Sequence, residues 1–247
     1  MKIFSRTDTG RVRSENQDAY FAGHLSDHAA FAVVCDGMGG ANAGNIASAT
    51  AVKSIADYIS KSYRGAMTVQ EMEKVVQNAI TSANIELYDL SLKHAKYNGM
   101  GTTVVLAAVI GDEAVIAHVG DSRVYLAEGE TITQLTRDHS VVQSLIESGK
   151  ITPEDAKVHP RKNIITRALG AEEQVAVDLT VAHLNEGAAL LLCSDGLTNY
   201  VEPAEIAAIL AKEEPQAAAD CLVDKANREG GGDNITVVIM TYEGKKG

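Results

Sequence analysis

The 247-residue chain has only three cysteines, and it contains neither a Cys-x-x-Cys pair nor a His-Glu-x-x-His motif. Three thiols cannot all pair, and Cys35 and Cys193 lie in apolar runs, so we expect buried thiols in a reducing compartment. No apolar run approaches the roughly 20 residues that cross a bilayer. The first residues also lack the apolar region of a signal peptide. These absences predict a cytoplasmic protein with no membrane contact.

Basic residues are also scarce. The chain carries 22 lysines and arginines against 33 acidic residues, which gives a formal net charge of -11. This balance argues against broad binding to nucleic acids or anionic membranes. The composition, 45% hydrophobic and 22% charged, is typical of a globular protein. Because no internal repeat or long linker interrupts it, the chain is predicted to form a single layered domain over residues 1–247.

Apolar residues at helical and strand spacing predict an α+β fold. Helices are expected over 43–61, 69–94, 141–148, 203–212 and 216–228. Strands are expected over 2–8, 19–22, 31–35, 104–110, 114–119, 124–127, 131–135, 175–181, 188–193 and 235–241. Dense turns in the middle of the chain favour an antiparallel meander, and the early and late helices would cover two packed sheets.

Three aspartates adjoin glycines at the ends of apolar runs. Asp36 and Asp195 each follow such a run and precede a glycine, whereas Asp233 follows three glycines and precedes a run. A carboxylate at a strand end lies at the rim of a sheet, and glycines let the backbone turn tightly and approach a ligand. We therefore hypothesise that the three aspartates meet at one edge of the β core and hold divalent ions.

The type of residue indicates which ions these would be. Carboxylate and carbonyl oxygens suit hard cations such as Mg²⁺ and Mn²⁺, whereas zinc favours histidine and thiolate. An all-aspartate site therefore points to Mg²⁺ or Mn²⁺. Taken singly, each Asp-Gly pair is better explained as a common turn. Two strand-terminal copies together with Gly-Gly-Asp-Asn make the metal hypothesis stronger than that alternative.

Other features stay open when the residues alone are considered. Arg13 is either a solvated arginine or a side chain that grips a phosphate through two hydrogen bonds. Asp121 lies in a turn that a plain hairpin explains equally well. Residues 138–170 predict an irregular insertion over the sheet rim, because long irregular segments are often functional. His139 and His159 within it are either proton donors or, as is usual for isolated histidines, surface or capping residues.

Six short motifs are spread over nearly the whole chain. They are Arg13-x-x-Asn16-Gln17-Asp18, Val34-Cys-Asp36-Gly-Met-Gly-Gly40, Gly101-Thr-Thr103, Gly120-Asp-Ser-Arg123, Ser194-Asp-Gly-Leu197 and Gly232-Asp-Asn234. Each motif is modest alone, but their order and spacing together are specific. In this order the chain resembles the metal-dependent protein phosphatases (the PPM family, type 2C), and it looks most like the compact bacterial members.

The resemblance implies a four-layer α-β-β-α sandwich, in which two antiparallel sheets are flanked by helix pairs and a two-metal site lies at one end. By position, Asp36 would bridge both metals, and the Gly37 carbonyl would bind one of them. Asp195 and Asp233 would bind the other. Asp18 would act through a metal-bound water.

The resemblance also implies roles for three further parts of the chain. Arg13 would bind the phosphate of the substrate. An additional metal would lie at Asp121 and Asp195, so that each chain holds two or three Mn²⁺ or Mg²⁺ ions. Residues 138–170 would correspond to the flap that borders the site and influences substrate choice.

Met38 is a departure from many eukaryotic members, which have a histidine at this position that is thought to protonate the leaving group. A methionine cannot donate a proton, although the bacterial branch commonly shares it. The general acid is therefore unassigned, and we hypothesise that a water near Asp121 supplies the proton.

The implied function is a serine/threonine protein phosphatase in which a metal-activated water attacks the phosphorus directly. The expected partners are phosphorylated protein substrates and a cognate Ser/Thr kinase, which would make the chain a monomeric signalling enzyme. Two alternatives remain open at this point. One is a phosphoprotein-binding pseudophosphatase, against which the intact aspartate set argues. The other is a regulatory phosphatase dedicated to one partner.

Overall fold

The computed structural model describes residues 1–39, 43–65 and 67–244. The strands are β1 (Lys2–Asp8), β2 (Asp18–Ser26), β3 (Ala29–Met38), β4 (Gly101–Thr102), β5 (Val104–Ile110), β6 (Glu113–Val119), β7 (Arg123–Glu128), β8 (Thr131–Gln134), β9 (Asp178–His183), β10 (Ala189–Cys193) and β11 (Ile235–Thr241). The α-helices are α1 (Ala43–Ser62), α2 (Val69–Lys93), α3 (Val141–Glu147), α4 (Pro153–Lys157), α5 (Asp195–Thr198), α6 (Pro203–Lys212) and α7 (Pro215–Arg228). A single 3-10 turn follows α2 at Ala95–Tyr97.

The strands form two antiparallel sheets. Sheet A has the order β1-β11-β10-β7-β8, and sheet B has the order β2-β3-β5-β6-β9, with β4 paired to β3. In sheet A the first and last strands of the chain lie side by side, and Lys2 is paired with Thr241. In sheet B the register places Asp18 of β2 opposite Asp36 of β3. This register brings two acidic residues from separate motifs to the same edge of the sheet.

Alternation along the strands divides the core into three apolar layers. On β3, Phe31, Val33 and Cys35 face the layer that includes α1 and α2, whereas Ala32 and Val34 face the layer between the sheets. Successive strand residues point to opposite faces, so one strand contributes to both layers. A third layer packs sheet A against α6 and α7. This arrangement confirms the predicted α+β sandwich with the layer order α-β-β-α.

The long helices begin and end close to the predicted positions. Thr68 caps α2: its side chain accepts a hydrogen bond from the backbone of Glu71, while the Glu71 side chain accepts one from the Thr68 backbone. This reciprocal capping box satisfies donors that a helix N-terminus otherwise leaves free. The α1 helix begins at Ala43. Gly40, the last glycine of the second motif, lies outside the described residues.

Three strand predictions were wrong in their bounds. The strand expected at 19–22 spans Asp18–Ser26, because β2 pairs with β3 over this whole length. The strand expected at 175–181 begins only at Asp178 and continues to His183, because Val175 and Val177 pack against the apolar core without pairing. The strand expected to stop before Asp36 continues to Met38, because β4 pairs with its last two residues. Asp36 is therefore held inside a strand, and its backbone conformation is fixed on both sides.

Residues 138–170 contain more regular structure than their sequence indicates. The predicted helix α3 begins after Ser140, whose side chain accepts a hydrogen bond from the backbone of Gln143. The short helix α4 was not predicted, because five residues are too few for a periodic pattern. A bridge between Ser140 and Ile165 joins the two ends of the segment. No helix in the described part of the chain has the length and apolarity needed to cross a membrane.

Candidate functional site

A cleft of about 240 Å³ lies where the ends of β3, β6 and β10 and the start of β11 come together. Its lining residues are Arg13, Gln17, Asp36, Gly37, Met38, Gly39, Thr103, Asp121, Asn163, Ile165, Asp195, Asp233 and Asn234. The structure therefore brings together the three aspartates that the sequence predicted to meet, and Asp121, which the family resemblance implied, lies with them. Asp18 lies beside them through its register with Asp36.

Asp36 is held by the last residue of β4 and the residue after it. Its backbone N–H donates to Thr103 Oγ1 at 2.9 Å, and its carbonyl accepts from the Thr103 N–H at 2.9 Å and from Thr102 Oγ1 at 2.8 Å. Burial raises the pKa of the Asp36 carboxyl well above its ordinary value, and the negative charge of Asp18 raises it further. A cation near this carboxylate would reverse both effects.

Gly37 is required by the close approach of α1 to the end of β3. A Cβ atom here would lie 2.0 Å from the Gly44 carbonyl oxygen and 2.7 Å from the Gln17 carbonyl oxygen, so no larger residue fits. The glycine was predicted to let the backbone approach a ligand, whereas the group that approaches it in the structure is the protein's own helix. Gly39 supplies the turn, with φ at 137°.

Asp18 is held by two hydroxyl groups from sheet A. Ser194 Oγ and Thr236 Oγ1 each donate to Asp18 Oδ2 at 2.7 Å. The other oxygen, Oδ1, is buried and has no hydrogen-bond partner among the described residues. Burial raises the pKa of this carboxyl to about 7 against the lowering effect of the two hydroxyls, and the charges of Asp195 and Asp233 add to the rise.

Asp195 and Asp233 approach the cleft from neighbouring strands of sheet A. Asp195 is the first residue of α5, and its Oδ2 accepts from Asn199 Nδ2 at 2.9 Å. Its Oδ1 is buried and unpartnered within the described ranges. Burial and the charge of Asp233 raise the pKa of the Asp195 carboxyl. Asp233 Oδ1 accepts from the Asn234 N–H at 2.9 Å.

Asp121 lies in the turn between β6 and β7. Gly120 adopts φ 107° before it, and a Cβ there would lie 2.7 Å from the Thr103 side chain. Burial raises the pKa of the Asp121 carboxyl to about 8, with further contributions from the charges of Asp195 and Asp138. The turn is therefore more than a plain hairpin, because it carries its carboxylate into the acidic cleft.

Arg13 lies at the rim of the cleft. Its Nη2 donates to Asp233 Oδ2 at 2.8 Å, and 53% of its side chain is exposed. An ion pair this exposed contributes little to stability, roughly 0–1 kcal/mol. The guanidinium is consequently free to turn toward a phosphate, and its planar fork matches phosphate oxygens.

Asn234 supports the site in a way that the sequence analysis missed. Its Oδ1 accepts from the Gln17 N–H at 2.8 Å, and its Nδ2 donates to the Thr9 and Glu15 carbonyls at 2.9 Å each. One buried side chain thus ties the segment before Asp18 to the segment after Asp233. The only signal for it in the sequence was its place in the Gly-Asp-Asn motif.

Other contributors were also missed, and each depends on contacts between distant parts of the chain. Ser194 and Thr236 hold Asp18, and Thr103 holds Asp36. Asn163 and Ile165 reach the cleft from the segment 138–170. Thr103 and Ser194 stand in two of the quoted motifs, whereas no local pattern distinguishes Thr236, Asn163 and Ile165 from ordinary residues.

The two histidines of segment 138–170 are not among the residues that line the cleft. His139 is 8% exposed and its ring stacks on His118 with a centroid distance of 4.6 Å. Its Nδ1 accepts from the Gly120 N–H at 3.0 Å, so Nε2 carries the proton and donates to Asp178 Oδ2 at 3.2 Å. His139 therefore acts as a buried structural residue that holds the turn before Asp121.

The acidic cleft fits hard divalent cations. Its donors are carboxylate and carbonyl oxygens, which Mg²⁺ and Mn²⁺ prefer. Two buried carboxylate oxygens, on Asp18 and Asp195, lack partners among the described residues, and such orphaned acceptors are costly without a compensating charge. Within the described ranges, the potential ligand atoms that all lie within 4.8 Å of one another belong to His118, His139 and Asp178, which are outside the acidic cleft. Ions in the acidic cleft would consequently share their coordination with water, as Mg²⁺ usually does.

Comparison with known families and proteins gives one consistent result. The family model described as "Protein phosphatase 2C" matches residues 9–220. The serine/threonine phosphatase stp of Listeria monocytogenes serotype 4b (strain F2365) is 44% identical over 236 residues, which cover 95% of this chain and 93% of that protein. The protein phosphatase PhpP of Streptococcus pneumoniae serotype 2 is 40% identical over 244 residues, with 98% and 97% covered.

Solved structures agree with the sequence relatives. Serine/threonine phosphatase Stp1 from Staphylococcus aureus superposes with a TM-score of 0.93 at 38% identity, covering 98% of this chain and 95% of that one. The catalytic domain of serine threonine protein phosphatase PstP, in complex with two manganese ions, superposes with a TM-score of 0.85 at 32% identity and 98% coverage of both chains.

Proposed function

The chain belongs to the protein phosphatase 2C family, and from this premise we propose that it hydrolyses phosphoserine and phosphothreonine in proteins, using Mn²⁺ or Mg²⁺ held in the acidic cleft. The observation that carries the proposal is the meeting of Asp36, Asp121, Asp195 and Asp233 in one cleft, with Asp18 alongside. As a member of this family the chain is a hydrolase that acts on phosphoproteins. The finer assignments below are part of the proposal.

Each acidic residue would have a distinct part in holding the ions. Asp36 would bridge two of them, with the Gly37 carbonyl as a further ligand. Asp195 and Asp233 would bind the second ion, and Asp121 together with Asp195 would bind a third. Asp18, whose Oδ1 has no hydrogen-bond partner in the described part of the chain, would orient water rather than contact an ion directly.

Bound divalent ions supply an activated water and positive charge for the phosphoryl oxygens, which is the chemistry that phosphate ester hydrolysis most needs. Arg13 would hold the phosphate through its guanidinium fork and orient it in the cleft. Its present partner, Asp233, would then pair with an ion instead of with the arginine. Most of the protein's contribution is thus positioning and electrostatic stabilisation.

Asp121 is our candidate for the residue through which the leaving alkoxide receives its proton. Met38 lines the cleft but has no proton to give. As an ion ligand Asp121 would be ionised, so the proton would come from a water held beside it, and Asp121 would position that water. The Asp121→Ala variant should make the rate more dependent on the pKa of the leaving group. An unchanged dependence would exclude this role.

The segment 138–170 would act as a flap within a single phosphatase domain spanning residues 1–247. Its residues Asn163 and Ile165 line the cleft beside Asp36. A bridge between Ser140 and Ile165, near the two ends of the segment, holds those ends together. A substrate that enters the cleft would contact these side chains before it reaches the aspartates.

The biological setting is proposed by similarity. The manganese in the PstP structure supports Mn²⁺ as one physiological ion, with Mg²⁺ as the other candidate and two or three ions per chain. The partners would be phosphorylated proteins and a Ser/Thr kinase whose products this enzyme reverses. We place this activity in cytoplasmic signal transduction, performed by a monomer.

The two alternatives differ in their support. The relatives are named as phosphatases, and the chain retains the full set of acidic residues in one cleft, so a catalytic enzyme is supported and a pseudophosphatase is not. A phosphatase dedicated to a single regulatory partner uses the same site. It differs only in the range of phosphoproteins accepted.

The test is metal-dependent turnover by the purified full chain. With Mn²⁺ the enzyme should hydrolyse p-nitrophenyl phosphate and a phosphothreonine peptide, and chelation should abolish both activities until Mn²⁺ is restored. A preparation that folds and binds Mn²⁺ but hydrolyses neither compound would refute the proposal. Turnover of a single phosphoprotein with no peptide activity would favour the dedicated regulatory enzyme.

A further inference from the structure

A second depression, larger than the acidic cleft, adjoins it on the side of the flap. It encloses about 520 Å³. Its apolar lining consists of Met38, Ile165, Ala168, Ala171, Val175 and Ala176, and we call it the flap groove. Met38 and Ile165 line the acidic cleft as well, so the two depressions meet at these two side chains.

The outer wall of the flap groove is fixed by a buried asparagine of α2. Asn84 Nδ2 donates to the carbonyls of Glu172 and Glu173 at 3.1 and 3.0 Å, and its Oδ1 accepts from the Gly170 N–H at 2.8 Å. These three bonds hold the backbone of residues 170–173 against the helix. A wall built in this way is already in place before a ligand arrives, which reduces the entropy lost on binding.

A second part of the wall is fixed by Arg167. Its Nη1 donates to the Ala176 carbonyl at 3.0 Å and to Asp178 Oδ1 at 2.6 Å. The guanidinium is therefore bonded to its own chain. Thr166, Arg167, Glu172 and Gln174 give the groove a polar part beside its six apolar residues. Ligand sites typically have volumes of roughly 300–1,000 Å³ and combine apolar lining with a few placed polar groups.

Met38 makes the junction between the two depressions apolar. Its Cε lies against Gly101, where a Cβ would be 3.1 Å away from it, and the same Cβ would be 3.6 Å from the Ala168 side chain. A thioether is apolar and adaptable, so it suits contact with varied side chains. A negatively charged flanking group at this point would lose its hydration beside the acidic cleft without gaining a partner.

The charge at the rim of the flap groove disfavours some side chains of a bound ligand. Glu172 is exposed and lines the groove. A carboxylate on the ligand would be repelled there, because like charges brought together at an interface are unfavourable. An apolar side chain meets no such cost and buries surface against the alanines and Val175.

We propose that the flap groove binds the stretch of the phosphoprotein next to the phosphorylated residue, and that it selects an apolar side chain at one flanking position. The proposal rests on the proposed function, because it requires a phosphoresidue in the acidic cleft. An extended chain advances about 3.3–3.6 Å per residue, so one or two residues carry the substrate over Met38 and into the groove. The groove is then a specificity site for the residues beside the phosphate.

The experiment compares a substrate that has no flanking residues with peptides that do. p-Nitrophenyl phosphate occupies only the cleft. Phosphothreonine peptides with leucine or aspartate at each of the two positions on either side of the phosphothreonine also probe the groove. The wild-type enzyme should prefer leucine over aspartate at one of these positions by about 10-fold in kcat/KM, the lower end of what an apolar contact usually gives.

Two substitutions of the exposed Ala171 make the test specific. Ala171→Trp should fill the groove and lower kcat/KM for the leucine peptide by about 10-fold, while p-nitrophenyl phosphate turnover stays unchanged. Ala171→Lys should raise kcat/KM for the aspartate peptide, a gain that a misfolded variant would not give. Ala217→Trp, at an exposed position on α7, is the matched control and should alter neither substrate.

The outcomes separate this inference from the proposed function. A wild-type enzyme that hydrolyses neither substrate would refute the phosphatase proposal itself. If the wild type is active but shows no flanking preference, or if Ala171→Trp leaves the leucine peptide unaffected, the groove does not bind substrate. An equal fall for both substrates in Ala171→Trp, without the gain in Ala171→Lys, would also overturn the inference.

Discussion

The layer between the sheets and the acidic cleft are built from the same strands, yet they have opposite energetics. On β3, Ala32 and Val34 are fully buried between the sheets, and two residues later Asp36 enters the cleft. On β10, Leu190 and Leu192 occupy the core, and Asp195 follows the end of that strand. The comparison shows that a strand changes from a stabilising to a destabilising environment within about two residues.

The two regions differ in whether their buried groups need partners of opposite charge. The apolar layer gains roughly 25 cal/mol for each Å² of apolar surface removed from water, and it needs no partner groups. The cleft gathers several carboxylates whose pKa values are raised by burial and by one another. Such a site costs stability until cations neutralise it, which is the usual relation between function and stability at an active site.

The largest expected effect follows from removing the central charge of the cleft. Asp36→Asn should lower kcat/KM for a phosphothreonine peptide by about 10³-fold, as the loss of a major electrostatic group does. The variant should unfold at no lower temperature than the wild type in chelator, because a buried negative charge has been removed. Activity assays and thermal unfolding check both points.

Asp57→Asn is the matched control for that variant. Asp57 is paired with Lys53 on the exposed face of α1, and its replacement should leave turnover intact. Normal activity in Asp36→Asn would remove Asp36 from the proposed site.

The opposite pattern is expected in the apolar layer. Leu190→Ala should reduce the free energy of unfolding by about 2–5 kcal/mol, through lost burial and the cavity left behind. The kcat of the folded fraction should change little. Urea titration measures the loss, with Leu92→Ala as control because Leu92 is 69% exposed on α2 and should cost less than about 0.5 kcal/mol. Equal losses in the two variants would contradict the assignment of Leu190 to the core.

Removing the ions should destabilise the folded protein by an amount that depends on pH. In the ion-free protein the pKa of Asp18 is raised to about 7 from an ordinary 3.8, and that of Asp121 to about 8. Between about pH 4 and pH 8 the folded state binds more protons than the unfolded state. The free energy of unfolding therefore falls as the pH rises through this range. Bound cations replace those protons, so they stabilise more at high pH.

The measurement is the difference in unfolding temperature between Mn²⁺ and chelator at pH 5.5 and at pH 8. Ions at 100 times their dissociation constant should add about 2.7 kcal/mol, and the difference should be larger at pH 8. A difference that is equal at both pH values would mean that the ions bind away from these carboxylates.

The smallest expected effect concerns the rim of the cleft. Arg13→Ala should raise KM for a phosphothreonine peptide by about 10-fold with a smaller change in kcat, because the guanidinium contributes to binding of the phosphate ground state. Arg11→Ala, two residues earlier and also exposed, is the control. An unchanged KM and kcat in Arg13→Ala would exclude the proposed phosphate contact.

Much of the fold follows from local patterns. The apolar runs predicted β5, β6 and β11 within one residue of their observed bounds, and the helical spacing predicted α1 and α2. The start of β9 was wrong because Val175 and Val177 are apolar yet unpaired, and spacing alone does not tell packing from pairing. The short helix α4 depends on capping by Thr152 rather than on periodicity.

The site was predicted in part. Position beside glycines identified Asp36, Asp195 and Asp233, and the structure places them in one cleft, while their roles as ligands remain predictions. The contacts that support the site were not predictable from local pattern, although some of the residues that make them stand in the quoted motifs. Asp18 is held by Ser194 and Thr236, which are 176 and 218 residues away along the chain.

The sequence by itself determined which segments become strands and helices and which carboxylates stand at their ends, because burial of apolar side chains at period 2 or 3.6 is a local requirement. Only the tertiary structure decided which of those carboxylates share one cleft and which of their oxygens lack partners among the described residues. The reason is that pairing between distant strands sets the register, and the register sets the distance between charges. The flap groove has the same origin, since Asn84 of α2 fixes its wall from 86 residues away.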